Sequence, residues 1–223
     1  MKSRIILSAF LVSVLLPSAY AQQRLVDPRE FDIAGVKIGM DFDEARAAAA
    51  KYLKISPSEI RVHSPKPGET QYGGFMRGVE AITGAKHPSS FFYEKDKVWL
   101  GVYFEPRLPA DKTRPLAVFE VAYAIPHSKE NEAAMKKAAL AKYGEPTIDR
   151  ISHVSWCATP NKVAKMCMYI NYPVLELRPG TSIDPASFGA KTGIMLHDPT
   201  WAKAREQFLQ DLKDSKAKAT PNF

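Results

Sequence analysis

The chain has 223 residues, 45% of them apolar and 10% aromatic, with 31 Lys and Arg against 24 Asp and Glu. That composition excludes a disordered or low-complexity protein and leaves room for one large domain or two small units sharing a core. The positive balance is modest, and no basic run interleaved with aromatics occurs, so no nucleic-acid partner is expected.

The first segment is read as an export signal. Lys2 and Arg4 precede a mostly apolar stretch over residues 5–16, followed by Pro17 and the small-residue site Ala19-Tyr20-Ala21. The stretch is too short to span a bilayer, and no later run reaches membrane length, so the mature chain carries no integral membrane segment in this reading. Cleavage near Ala21 leaves a product starting at Gln22, free in the periplasm or secreted. Lys2 and Arg4 leave with the leader, so 29 basic residues face 24 acidic ones, a net charge of +5.

After a flexible stretch over 22–29, F-D-I-A-G-V-K-I alternates apolar and polar residues and reads as a strand. A helix follows, with Asp41 as N-cap and Glu44 three residues on in capping-box spacing, and with Phe42, Ala45, Ala49, Tyr52 and Leu53 sharing one face. Beyond S-P-K-P-G-E-T, strands are predicted at 74–82, 91–94 and 98–104, the last two joined by the polar turn E-K-D-K. Residues 116–125 read as another strand. Ser128 then caps a helix over 129–143, which Gly144 and Pro146 end. The strand T-G-I-M-L-H follows the loop R-P-G-T-S-I-D-P-A-S-F-G-A, and a last helix over 199–216 starts from Asp198 as N-cap, with Trp201, Ala204, Phe208 and Leu212 on one face.

Cys157 and Cys167 are the only cysteines, and an exported chain meets an oxidising compartment, so they are expected to form one disulfide. Between them Thr159, Pro160 and Asn161 form a turn. The flanking S-H-V-S-W-C and M-C-M-Y-I-N-Y then read as hairpin legs that set the cysteines opposite each other, with Cα atoms about 4.5 Å apart. Closing so short a loop stabilises by roughly 2 to 3 kcal/mol.

Strand, helix and strand meander thus occur twice. The predicted fold class is α+β, a largely antiparallel sheet with helices packed on one face, in two units at 30–106 and 115–216 and with a flexible tail at 217–223. I-G-M-D-F-D-E-A at the first helix and K-Y-G-E-P-T after the second resemble motifs of periplasmic repeat proteins of the β-lactamase inhibitor protein-like and outer-membrane small lipoprotein-like type. That resemblance implies a curved antiparallel sheet with helices behind it and a role in binding other proteins rather than in catalysis. The second unit has I-P-H-S where a second G-M would stand, and no binding residue is carried over.

No catalytic motif assembles. His63, His87, His127, His153 and His197 show no metal-ligand spacing, so no metal or cofactor is expected. Asp198, beside His197, is read as a helix cap rather than the partner of a base. K-T-G at residues 191–193 lacks the upstream S-x-x-K and S-D-N of penicillin-binding enzymes. F-G-A-K-T misses the phosphate-loop pattern because Ala190 separates Gly189 from Lys191. Tyr72, Phe75, Trp99 and Tyr103, from a cluster of aromatics that includes Phe91, Phe92 and Tyr93, form the candidate binding surface, and Y-G-G-F at 72–75 marks a bulge or bend. The expected function is a non-enzymatic periplasmic module that binds or inhibits another envelope protein. The alternatives are a cell-envelope hydrolase built from scattered carboxylates or histidines, or a binder of anionic glycan or lipid drawn by the +5 charge.

Overall fold

A computed structural model describes residues 27–64, 86–107, 111, 113–151, 153–158, 160–161, 166–167, 173–178, 180 and 191–218. The chain opens with a short 3-10 turn at Pro28–Glu30, capped by Asp27 and tied to the far end of the protein by the Arg29–Asp198 ion pair. F-D-I-A-G-V-K-I, predicted as one strand, is instead a tight antiparallel hairpin of β1 (Asp32–Ile33) and β2 (Val36–Lys37). Ala34 and Gly35 between them both take positive φ, 53° and 78°, the geometry of a two-residue turn that matches strand twist.

Helix α1 (Phe42–Leu53) is capped by Asp41, whose Oδ1 accepts from the Glu44 N–H at 2.9 Å. The capping box is half made, because the Glu44 carboxylate turns outward to Arg114 instead of returning to the cap backbone. Ala45, Ala49 and Ala50 are buried, Phe42 and Leu53 pack beside them, and Tyr52 stays 56% exposed. The Asp41 carboxyl lies below its ordinary value of 3.8, held there first by the Glu44 N–H and then by Arg114. A lowered folded-state pKa stabilises above the ordinary value and ceases to do so as pH falls through the folded one. Asp41→Ala is therefore expected to cost about 1 kcal/mol at neutral pH, with the difference shrinking as the medium is acidified below the ordinary carboxylate range. Urea midpoints of both proteins at pH 7 and in acid check this.

Among the described residues the main sheet has eight strands, all antiparallel: β3 (Arg61–His63), β4 (Ser90–Lys95), β5 (Val98–Pro106), β6 (Leu116–Pro126), β7 (Ile148–Arg150), β8 (His153–Cys157), β11 (Val174–Arg178) and β12 (Lys191–His197). They run in the order β3-β4-β5-β6-β12-β11-β8-β7, so that β6 and β12 meet at the centre. The mixed α+β class expected from the sequence is the observed one. Helix α1 precedes β3 to β6, and α2 (Lys129–Tyr143) precedes β7, β8, β11 and β12, while β9 (Pro160–Asn161) and β10 (Met166–Cys167) form a separate two-stranded hairpin. The predicted strand at 74–82 lies outside the described residues.

Alternation along each strand assigns the two faces. Phe91, Leu100, Val102, Phe104, Val121, Trp156, Leu175 and Leu196 point toward α1 and α2 and form the principal core with Ala45, Ala49, Met135 and Ala139. Trp156 adds a directed contact, its Nε1–H donating to the carbonyl of Gly144 at 3.0 Å, where α2 ends. Helix α3 (Thr200–Lys218) starts from Asp198, whose Oδ1 accepts from the Thr200 N–H, as the cap expected there should. Among the described residues no helix is long and apolar enough to cross a membrane.

Cys157 and Cys167 are joined by a disulfide, as expected, but by a different route from the one predicted. Cys157 ends β8 and pairs across the sheet with Val174 of β11, whereas Cys167 pairs with Pro160 in the small hairpin. The bond therefore ties that hairpin to β8, with Cα atoms 5.9 Å apart, instead of bridging two directly opposed legs.

Candidate functional site

The face of the sheet turned away from α1 and α2 carries the densest chemistry. Its central floor is built from small residues, with Gly101 on β5 and Ala117, Ala122 and Ala124 on β6 all buried. Larger rings lie across this floor. Trp99 is folded flat along its own strand over Gly101, where an added Cβ would stand 2.5 Å from the indole. From Phe92 a row of ring contacts crosses three further strands: Phe92 to Tyr103 at 5.6 Å, Tyr103 to Phe119 at 6.5 Å, and Phe119 to His197 at 5.9 Å between centroids. All three are tilted edge to face, the arrangement ring quadrupoles favour.

A β-bulge makes this row continuous. Tyr103 pairs with Glu120 but Phe104 pairs with Val118, so Phe119 is an extra residue in β6. The insertion lets Val118 and Val121 both face the helices while Phe119 and Glu120 turn to the other side. The carbonyl of Phe119 accepts the Asp198 N–H at 2.9 Å, which pins the bulge to the end of β12. Phe92, Tyr103, Phe119 and Met195 remain part-exposed, so the face presents a half-buried aromatic surface rather than a closed core.

Gly101→Ala is expected to displace the Trp99 indole, because the ring is rigid, buried to 3% exposure and has nowhere to retreat within the floor. The cost should be about 1–3 kcal/mol. Tryptophan emission shifted to the red in the folded variant, with a lowered urea midpoint, is the result to look for.

Charged groups surround the row. Glu176 on β11 is completely buried, and its Oε2 takes the Arg178 guanidinium through Nε at 2.8 Å and through Nη2, while His153 Nε2 stands 3.6 Å from Oε1. An arginine fork meeting a carboxylate in this way offsets much of the cost of burying the charge. Ser155, opposite Glu176 in the sheet, donates to Cys167 Sγ at 3.2 Å, so the disulfide hairpin closes over this end of the face. At the centre Glu120 and His197 are cross-strand partners with Oε2 and Nδ1 2.9 Å apart, close but off the hydrogen-bond axis. Lys191 reaches toward Glu94 at 4.0 Å.

These groups are spread over six strands and do not converge as nucleophile, base and orienter. Among the described residues no group of three His, Cys, Asp or Glu side chains has metal-binding geometry. What the arrangement provides is apolar area with a rim of paired charges, which suits recognition.

Of the residues singled out in the sequence, Trp99 and Tyr103 stand side by side on this face, Trp99 as buried support and Tyr103 as part of the half-exposed row. Tyr72 and Phe75 lie outside the described residues. Phe119, Met195 and the Glu120–His197 pair escaped sequence reasoning. They join Tyr103 only through the register of β5, β6 and β12 and through the bulge, and the one local sign was the run F-E-V-A-Y, whose alternation slips by one residue at Phe119. Comparison with models of protein families, with curated proteins and with solved structures finds no match to this chain.

Proposed function

We propose that the protein is a non-enzymatic binding module of the cell envelope that takes a protein partner on the face of its sheet turned away from α1 and α2. The observation that carries this reading is the half-buried row Phe92-Tyr103-Phe119-His197, laid over a floor of glycine and alanine. Aromatic side chains give large contact area at small entropic cost, and they concentrate binding energy when a partner removes the remaining water. The surrounding pairs Glu94–Lys191 and Glu176–Arg178 would set orientation more than affinity. Residence in the periplasm, or secretion, follows from the leader over residues 1–21. The Cys157–Cys167 bond supports an oxidising compartment.

We also read the two helix-plus-four-strand segments as repeats of one unit, in keeping with the resemblance drawn from G-M and K-Y-G-E-P-T. The like order of elements in the two halves supports it.

The test is site-specific photo-crosslinking in the native envelope. A photoreactive phenylalanine at Tyr103 or Phe119 is expected to capture one protein saturably, and the same group at Lys137, exposed on α2, is expected to capture none. Capture from Lys137 alone, or from none of the three positions, would rule the reading out.

A further inference from the structure

On the opposite side of the sheet a cleft of about 140 Å³ opens between the end of α1 and the body of α2. Ile194 and Tyr123 of the central strands form its floor, and Met135 and Ala139 of α2 its inner wall. Tyr52 at the last turn of α1 and Ala34 in the β1–β2 turn face them across the opening. Ala34 holds a left-handed φ of 53° although it carries a side chain, a conformation rarely adopted outside Gly, Asn and Asp.

The polar groups at the cleft divide into two sets. Asp32, Lys142 and Tyr143 satisfy one another: Lys142 Nζ donates to Asp32 Oδ2 at 2.7 Å and to its carbonyl at 2.9 Å, and the Tyr143 hydroxyl donates to that carbonyl at 2.7 Å. The lysine charge is thus neutralised at the rim. The hydroxyls of Tyr52 and Tyr123, by contrast, make no hydrogen bond to any described residue. Burial, with a smaller contribution from Tyr52, pushes the Tyr123 phenol above its ordinary range, so it stays a neutral donor in any physiological medium.

We propose that this cleft binds a small neutral molecule with one aromatic ring, or an apolar body of similar size, and a single hydroxyl or carbonyl. The apolar part would rest on Ile194, Met135 and Ala139, with its polar atom hydrogen-bonded to the Tyr123 hydroxyl. Size and lining support the first half of the assignment, since the volume is close to that of a cavity of about 150 Å³, lined by apolar side chains, that takes up benzene. The second half follows from the unused hydroxyls and from the absence of an unpaired charge among the described lining residues. A charged ligand would have to break the Asp32–Lys142 pair, and a ligand with no polar atom would leave the Tyr123 hydroxyl to face it unpartnered.

The experiment is a methyl-detected NMR titration of the full mature protein with 4-methylphenol and, separately, with toluene. Saturable shifts at Ala34, Met135 and Ile194 are expected, with 4-methylphenol binding about three- to tenfold more tightly than toluene. Tyr123→Phe, which removes only an unbonded hydroxyl, should erase that preference while leaving toluene affinity unchanged. Ala138→Leu, at an exposed helical position on the lip, should weaken both probes by about tenfold or more by filling the opening. Absence of saturable shifts in the wild type overturns the proposal, and so does an undiminished preference for 4-methylphenol in Tyr123→Phe. Should Ala138→Leu prove unfolded by circular dichroism, the Tyr123→Phe comparison decides alone.

Discussion

Trp156→Ala is expected to lower the stability of the protein by about 3–5 kcal/mol, the range for deleting a large buried aromatic side chain. Domains of this size are stable by only about 5–15 kcal/mol, so a fifth or more of the total would be lost. Three separate losses combine at this position. The indole is 1% exposed within the principal core. Its Nε1–H satisfies the carbonyl of Gly144, one of the acceptors left open where α2 ends. Its ring also packs edge to face on Tyr143 at 6.0 Å, and the Tyr143 hydroxyl in turn holds the carbonyl of Asp32 in β1. Removing Trp156 therefore frees the end of α2 and loosens its link to the N-terminal hairpin. Trp156→Phe should recover most of the packing but not the hydrogen bond, and should fall between the two. Urea denaturation of the three proteins, with unchanged m-values, measures both gaps.

Replacing both cysteines by serine is expected to cost about 2–4 kcal/mol. The loop closed is short, the two cysteines standing ten positions apart, so chain entropy alone accounts for the lower part of that range. The remainder comes from what the bond holds. Hairpin β9–β10 has two residues in each strand, too few to persist unaided, and its anchorage to the sheet runs through Cys157 and through the Ser155 contact with Cys167. Serine hydroxyls at two positions less than 3% exposed would add a desolvation cost. Hydrogen exchange gives the sharper check. Amides of β10 should lose protection by orders of magnitude on reduction, while those of β5, β6 and β12 keep theirs. Uniform loss across the sheet would mean that the disulfide supports the whole fold rather than one edge of it.

Punctuated elements were legible in the sequence. Ser128 and Gly144 bracket α2 to the residue, Asp198 starts α3, and the apolar runs over β5, β6 and β12 stand out from their flanks. The disulfide was legible from the cysteine count together with the export expected from the first residues. Less legible was anything decided by pairing. V-L-E-L-R carries a glutamate at its centre, which masks it as a buried strand; Glu176 is tolerated there because Arg178, two positions on along the same strand, folds back onto it and His153 stands beside it. F-D-I-A-G-V-K-I alternates like a strand because a two-residue turn preserves the alternation on either side. Tyr52 fits the apolar stripe of α1 by spacing, yet it falls beyond the part of the helix that the sheet covers and opens onto the cleft instead. The aromatic row follows the same logic, since its members are drawn from β4, β5, β6 and β12 and no local window contains more than two of them.

The central pairing of β6 with β12 also sets an order of events for a chain that emerges from its N-terminus. Residues 116–126 can join β5 as soon as they appear, but their other edge must wait for residues 191–197. Throughout that interval an eleven-residue strand, six of its side chains fully buried in the finished protein, has half of its backbone groups unmatched. Residues 39–40 relieve only the first part of it, through the two hydrogen bonds they exchange with Val118. The partly made protein is thus most open to mispairing with its neighbours just before it is complete, and a chain cut short of residue 191 would stay in that condition, with a ready edge for a second copy.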